Sequence, residues 1–211
     1  MINSFRLLIV FIIVIPLILH TGDLSAKLTN RKEAVEYFDF TEILPDLVKG
    51  KVVITKEIES KEAKANAIAH ILIEGSRNEI FDVLLDFSAW HRFVPYVKKA
   101  SPVKKEGNSV WVTFKNKIFF FSFTYTLRCD IDSENYTIVW SLDESYPHRI
   151  KDTTGYCRII KVNEKKTITT YSTSVSVGKL IPKFLEDYIA NKSLPKLMKS
   201  LRKEVMSRKK E

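Results

Sequence analysis

The sequence predicts an α+β domain: a curved antiparallel sheet of about seven to eight strands wrapped around a long C-terminal helix. Three patterns carry this reading. Period-two alternation runs from Val97 to Val177, a 3.6-residue period takes over after Gly178, and a capped helix separates the alternating region from an earlier strand pair. With 211 residues, 45% apolar and 28% charged, the composition is that of one ordinary globular domain.

Taken in order, the lead-in over 27–49 mixes charge with Tyr37, Phe38 and Phe40 and reads as a short helix and loop. Gly50 opens an extended run, Lys51–Glu57, rich in Val and Ile. Ala63–Ile73 suits helix or strand by propensity; its ending and its place after a strand favour a hairpin partner. Ser76 begins a helix, because Glu79 three residues on completes a capping box, and Ile80, Val83, Leu84 and Phe87 form the apolar stripe. A second short helix, Ser88–Val94, is stopped by Pro95.

Six strands follow, at Ala100–Lys105, Ser109–Lys115, Ile118–Ile131, Tyr136–Leu142, Gly155–Val162 and Thr167–Val177, with Asn116-Lys117 among the separators. The final amphipathic stripe is Ile181, Phe184, Leu185, Tyr188, Ile189, Leu197, Met198, Leu201 and Val205. Pro195 is expected to kink it or divide it in two.

Strand parity separates two faces. In Ile118–Ile131, Phe119, Phe121, Phe123, Tyr125, Leu127 and Cys129 fall on the inner face, and Phe120, Ser122, Thr124, Thr126 and Arg128 on the outer. Val110, Val112 and Phe114 join the inner face before it, and Tyr136, Ile138, Trp140 and Leu142 after it. Such an aromatic surface fits a filled core under the C-terminal helix and equally a lined cavity.

Cys129 and Cys157 lie on strands separated by a third. At about 4.8 Å per strand they are roughly 9–10 Å apart, beyond the ~7 Å Cα separation a disulfide allows, so both thiols are expected free.

Several function classes are excluded. The six glycines stand at least 23 positions apart, so no Gly-rich phosphate loop exists. Neither the four histidines nor the two cysteines have metal-site spacing, and there is no G-x-S-x-G elbow. No catalytic, metal-binding or cofactor-binding residue is assigned. His91 beside Trp90 reads as a packed loop residue, and Asp82 with Asp86 as a solvated face without a basic partner.

Residues 1–26 read as a signal peptide or N-terminal anchor. Arg6 precedes an apolar run of 13 residues, Leu7–Leu19, which falls short of the ~20 a bilayer-spanning helix needs, and Leu24-Ser25-Ala26 offers a cleavage site. The remainder, a lead-in over 27–49 and a domain over 50–208, is expected to be exported, periplasmic or otherwise extracytoplasmic, with an uncleaved anchor over 1–20 as the alternative. Net charge is +9, and residues 182–211 hold nine Lys or Arg against four Asp or Glu. For an exported monomer this points to transient contact with an anionic membrane surface and not to nucleic acid; a solvated face fits equally.

Two stretches resemble the START-like, helix-grip superfamily that includes bacterial lipid-transfer, coenzyme Q-binding and polyketide-cyclase-type members. Ser76–Pro95 resembles its first-helix signature through Asp86, Trp90, Phe93 and Pro95. Gly155–Val205 is similar to the lipid-transfer ending through Gly155, Tyr156 and Arg158, then Ile181–Phe184, Ser193–Pro195 and Leu201–Lys203. Cys157 departs from the pattern, since many relatives place Trp there. The resemblance implies a cavity between sheet and C-terminal helix, with Phe114, Phe119, Phe121, Phe123, Tyr125, Trp140, Cys157, Tyr171, Phe184 and Tyr188 as its candidate lining. It implies non-enzymatic binding or transfer of a lipid, sterol or quinone-like molecule, requiring no cofactor. The alternatives are a cyclase or hydratase using the same cavity, with Tyr125 and Tyr171 as the interior hydroxyls, and an interaction module with a filled core.

Overall fold

The computed structural model describes residues 39–57, 66–176, 188 and 192–210. The element order is α1 (Leu44–Val48), β1 (Val52–Glu57), β2 (Asn66–Glu74), α2 (Arg77–Leu85), a 3-10 turn (Phe87–Ala89), α3 (Trp90–Phe93), β3 (Val97–Glu106), β4 (Ser109–Ile118), β5 (Phe121–Asp132), β6 (Thr137–Leu142), β7 (Asp152–Asn163), β8 (Lys166–Ser176) and α4 (Leu194–Arg208). The eight strands form one antiparallel sheet in the order β1-β2-β8-β7-β6-β5-β4-β3. β3 to β8 are thus a simple meander, and the N-terminal hairpin adds to its last strand. The candidate signal segment and, of the C-terminal stripe, Ile181, Phe184, Leu185 and Ile189 lie outside the described residues. Among those described, no helix is long and apolar enough to cross a membrane.

Local chemistry sets the helix ends. The Ser76 hydroxyl accepts from the Glu79 backbone N–H at 3.3 Å while the Ser76 N–H donates to the Glu79 carboxylate at 2.6 Å, the capping box expected. At the other end of α2 the Trp90 indole N–H donates to the Leu84 carbonyl at 3.0 Å, occupying a carbonyl the helix leaves unpaired. Pro195 occupies the first turn of α4, where a proline lacks only a bond the helix would not make; residues 177–187 and 189–191, before it, lie outside the described residues.

The structure corrects several details of the sequence reading. Ile118 pairs with Phe121, so the β4–β5 turn is Phe119-Phe120, not Asn116-Lys117. Phe119 takes a left-handed φ of 52° there, and the two rings are 56% and 80% exposed. Parity otherwise runs as read: Phe123, Leu127 and Cys129 are buried, and Arg128 lies on the outer face bound to Asp130 at 3.0 Å. β3 is longer than expected and holds Pro102, which an edge strand tolerates, between two register shifts. Asp86, read as having no basic partner, has one: Arg208 at the end of α4 reaches it at 2.9 Å, on a side chain that stays partly exposed.

The core lies between the sheet and the helices. Leu194, Leu197, Met198, Leu201 and Val205 form one buried stripe of α4, and Ile71 and Ile73 of β2 meet it from the sheet. On the opposite face of β2, His70 is fully buried, with Nε2 3.0 Å from the Thr55 hydroxyl and Nδ1 3.0 Å from that of Thr170. The Phe40 ring stands edge-on to it at 5.6 Å.

Burial holds His70 neutral and pulls its pKa from 6.5 to about 4. Below pH 6.5 the unfolded chain binds a proton that the folded chain refuses until about pH 4. Stability is therefore complete above pH 6.5 and falls as pH drops through this window, by about 3 kcal/mol for this residue alone. Urea unfolding at pH 7 and pH 4.5 is expected to show that loss, and His70→Gln to show a correspondingly smaller difference between the two.

Candidate ligand cavity

The inner face of the sheet is not filled throughout. A cavity with about 80 Å³ of free space lies between the strands, α2–α3 and the first turn of α4. Leu84, Phe87, Trp90 and Val94 line it from the helices, and Leu194 and Leu197 from α4. The sheet contributes Phe114 and Asn116 from β4, Phe123, Tyr125, Leu127 and Cys129 from β5, and Ile138 and Trp140 from β6. β7 and β8 add Thr153, Cys157, Tyr171, Thr173 and Val175. Among the described residues, no lining residue is Asp, Glu, His, Lys or Arg.

Of the ten candidate lining residues, six come together here: Phe114, Phe123, Tyr125, Trp140, Cys157 and Tyr171. Phe119 does not, because it sits in the turn. Phe121 and Tyr188 are half-buried and pack on a satellite cluster of Ile118, Phe123 and Ile150 at the same end of the cavity, where the Tyr188 ring lies 4.9 Å from Phe119. Phe184 lies outside the described residues. His91 is exposed and its Nδ1 lies 2.7 Å from the Ser88 carbonyl, away from the cavity.

Aromatic contacts form the wall. Trp90 meets Phe114 at 5.6 Å, Phe114 stacks on Tyr125 at 5.8 Å, and Trp140 meets Tyr171 at 4.8 Å. Gly155 makes the Trp140 position possible, since a Cβ there would overlap both the indole and the Ser172 carbonyl oxygen. Gly155→Ala is expected to cost at least about 1–3 kcal/mol, because the carbonyl belongs to the paired strand β8 and cannot move aside. Chemical denaturation checks this, with a blue- or red-shifted Trp140 emission marking its displacement.

The polar atoms are few and neutral. Burial raises the phenols of Tyr96, Tyr125 and Tyr171 and pushes the Cys129 thiol up to about 12 and Cys157 up as well. Both cysteines are free, with β6 between them, and neither is a thiolate nucleophile at neutral pH. The Asn116 amide donates to the Tyr125 hydroxyl at 2.8 Å, while its Oδ1, buried, has no hydrogen-bond partner among the described residues.

Asn116 was missed by sequence reasoning because Asn-Lys reads as a turn. Tyr96, Ile150, Thr153 and Val175 were missed because they lie where loops begin or strands end. Trp90 was visible only through its motif.

A family model described as polyketide cyclase/dehydrase and lipid transport matches residues 73–202. The chain belongs to this family. Among solved structures, the family member is similar to a START superfamily protein from Mycobacterium smegmatis, with TM-score 0.59 and 16% identity over 68% of this chain and 98% of that one. It is also similar to a STAR-related lipid transfer protein from Xanthomonas axonopodis, with TM-score 0.58 and 16% identity over 74% and 98% of the two chains. A third is the Zhui aromatase/cyclase from a Streptomyces species, with TM-score 0.58 and 17% identity over 68% and 94%. These likenesses bear on the fold, which is START-like and helix-grip. No curated protein matches the sequence.

Proposed function

We propose that this domain is an exported, non-enzymatic protein that binds and transfers a hydrophobic ligand in the cavity between sheet and helices. The observation that carries the reading is the aromatic cavity itself, whose wall, among the described residues, holds no charged side chain and no group that titrates between pH 5 and 8. Removing apolar ligand surface from water contributes about 25 cal/mol per Å², which suffices for binding without covalent chemistry. The present free space is below the ~300–1,000 Å³ of pockets that hold drug-sized ligands. A whole lipid or sterol therefore requires the wall to yield, and Leu194 and Leu197 at the start of α4 are its terminal portion. Native mass spectrometry and solvent extraction of the purified chain are expected to show a bound apolar compound, depleted in Val175→Phe, which grows a half-buried wall residue into the cavity. A protein free of any such compound, and unable to take up apolar probes, would leave the filled-core interaction module; turnover of a polyketide-type substrate would favour the cyclase reading.

The same proposal places ligand exchange at an anionic membrane. Phe119 and Phe120 project from the β4–β5 turn, and Ile118 and Phe123 beside them line the cavity. The flanking segments 115–124 and 146–151 hold Lys115, Lys117, Arg149 and Lys151 and no acidic residue. The loop lies alongside, since the Arg149 N–H donates to the Thr124 carbonyl. On α4, by contrast, Arg202 is bound to the Gly50 carbonyl and Arg208 and Lys209 to carboxylates, leaving Lys196, Lys199 and Lys203 exposed. Burying one Phe in lipid contributes about 1.5–3 kcal/mol and each cation about 1 kcal/mol. Flotation with phosphatidylserine-containing vesicles is expected to fall about tenfold or more for Phe120→Ser and less for Lys199→Glu. Binding unchanged by Phe120→Ser removes the turn as the docking element.

A further inference from the structure

We infer that the cavity selects an uncharged molecule that presents a hydroxyl group to Asn116 and Tyr125; this rests on the hydrophobic-ligand reading above. The argument begins with the absence of charge. An ionised carboxylate or phosphate carried into this wall would meet no cation among the described residues, and an isolated buried ion is the most costly polar group to desolvate. The buried part of the ligand is therefore neutral.

The polar pair then sets its functional group. Asn116 is 5% exposed and lies on β4 opposite Phe123, so its amide is held by the strand and not by a mobile loop. Its Nδ2 donates to the Tyr125 oxygen, which leaves the Tyr125 O–H to donate elsewhere and the Asn116 Oδ1 without a donor among the described residues. One acceptor and one donor thus stand side by side. A hydroxyl is their complement, because a single oxygen donates to Oδ1 and accepts from Tyr125. Exchanging the amide nitrogen and oxygen leaves the conclusion intact. Tyr125 would then donate to Oδ1, and the spare Nδ2–H and phenol lone pair would again offer one donor and one acceptor. Tyr171 is the second phenol of this wall, and its ring against Trp140 gives a face for the ligand's apolar body.

A pure hydrocarbon would leave the amide unsatisfied, and an unsatisfied buried polar group is what hydroxyl-selective sites use to reject analogues that lack the group. The free space suits single-ring probes. NMR titration of the full chain at pH 7 with toluene, p-cresol and benzoate, followed at the tryptophan indole N–H signals, tests the inference. p-Cresol is expected to bind about tenfold more tightly than toluene, as one to two net hydrogen bonds imply, and benzoate more weakly than either. Tyr125→Phe, which keeps the ring, and Asn116→Leu are each expected to bring p-cresol to within about twofold of toluene while toluene itself is unchanged or tighter. Equal affinity of the wild-type protein for toluene and p-cresol overturns the selectivity and leaves hydrophobic binding standing, with water satisfying the amide. Benzoate binding as tightly as p-cresol overturns the neutrality. If none of the three probes binds, the hydrophobic-ligand reading falls and this inference with it.

Discussion

An eight-stranded antiparallel sheet has an apolar face that must be kept from water. Leaving that face to water would forfeit the dominant favourable term in folding. The chain divides the task. Met198, Leu201 and Val205 of α4 seal the β2 side and meet α2, while Phe87, Trp90 and Val94 cover the strands at the β3 edge. Among the described residues, the space between these two covers is lined mainly by strand side chains. Aromatic rings fill much of it, and the remainder is the cavity.

Polar groups anchor the covers without entering that space. Arg208 links the end of α4 to Asp86 at the end of α2, and Arg202 holds the Gly50 carbonyl at 2.9 Å. The Trp90 indole is fixed by its bond to Leu84, so its ring faces the cavity in one orientation. On the outer face the Trp111 indole donates to Asp143 at 2.6 Å under Lys104, and His70 bridges Thr55 and Thr170 across three strands. Among the described residues four buried side-chain atoms lack a partner, Asn116 Oδ1, Thr167 Oγ1, Thr169 Oγ1 and Ser193 Oγ, and of these Asn116 is the one that lines the cavity. The Phe119-Phe120 turn breaks a local rule by placing two aromatics where a hairpin usually places Gly, Asn or Asp.

Particular residues show why some of this was legible in the sequence. The capping box at Ser76 and Glu79 spans four residues, and strand parity from Phe123 to Cys129 depends only on the pleat, so both were readable from neighbours along the chain. The free cysteines followed from the order of the strands in a meander. Asn116 was misread because turn propensity belongs to the isolated residue type, whereas its burial depends on Ile118 pairing with Phe121. Asp86 was read as lacking a basic partner because Arg208 stands 122 residues away. Phe119 and Phe121 had the inner parity, but the turn turned one outward and left the other at the sheet's end.

By itself the sequence determined the periods, and through them the α+β class, the strand meander, the terminal helix stripe and the kind of side chain each face would bear. These depend on backbone geometry, which repeats every two or 3.6 residues whatever lies elsewhere. Only the tertiary structure decided that β2 joins β8, that α4 begins at Leu194 beside the cavity, that Gly155 makes room for Trp140, and that Asn116 and Tyr125 present their polar atoms together. Each of these joins residues distant in sequence or depends on register, and register is settled by the packing of the whole sheet against its helices, where a shift of one residue would turn every side chain to the other face.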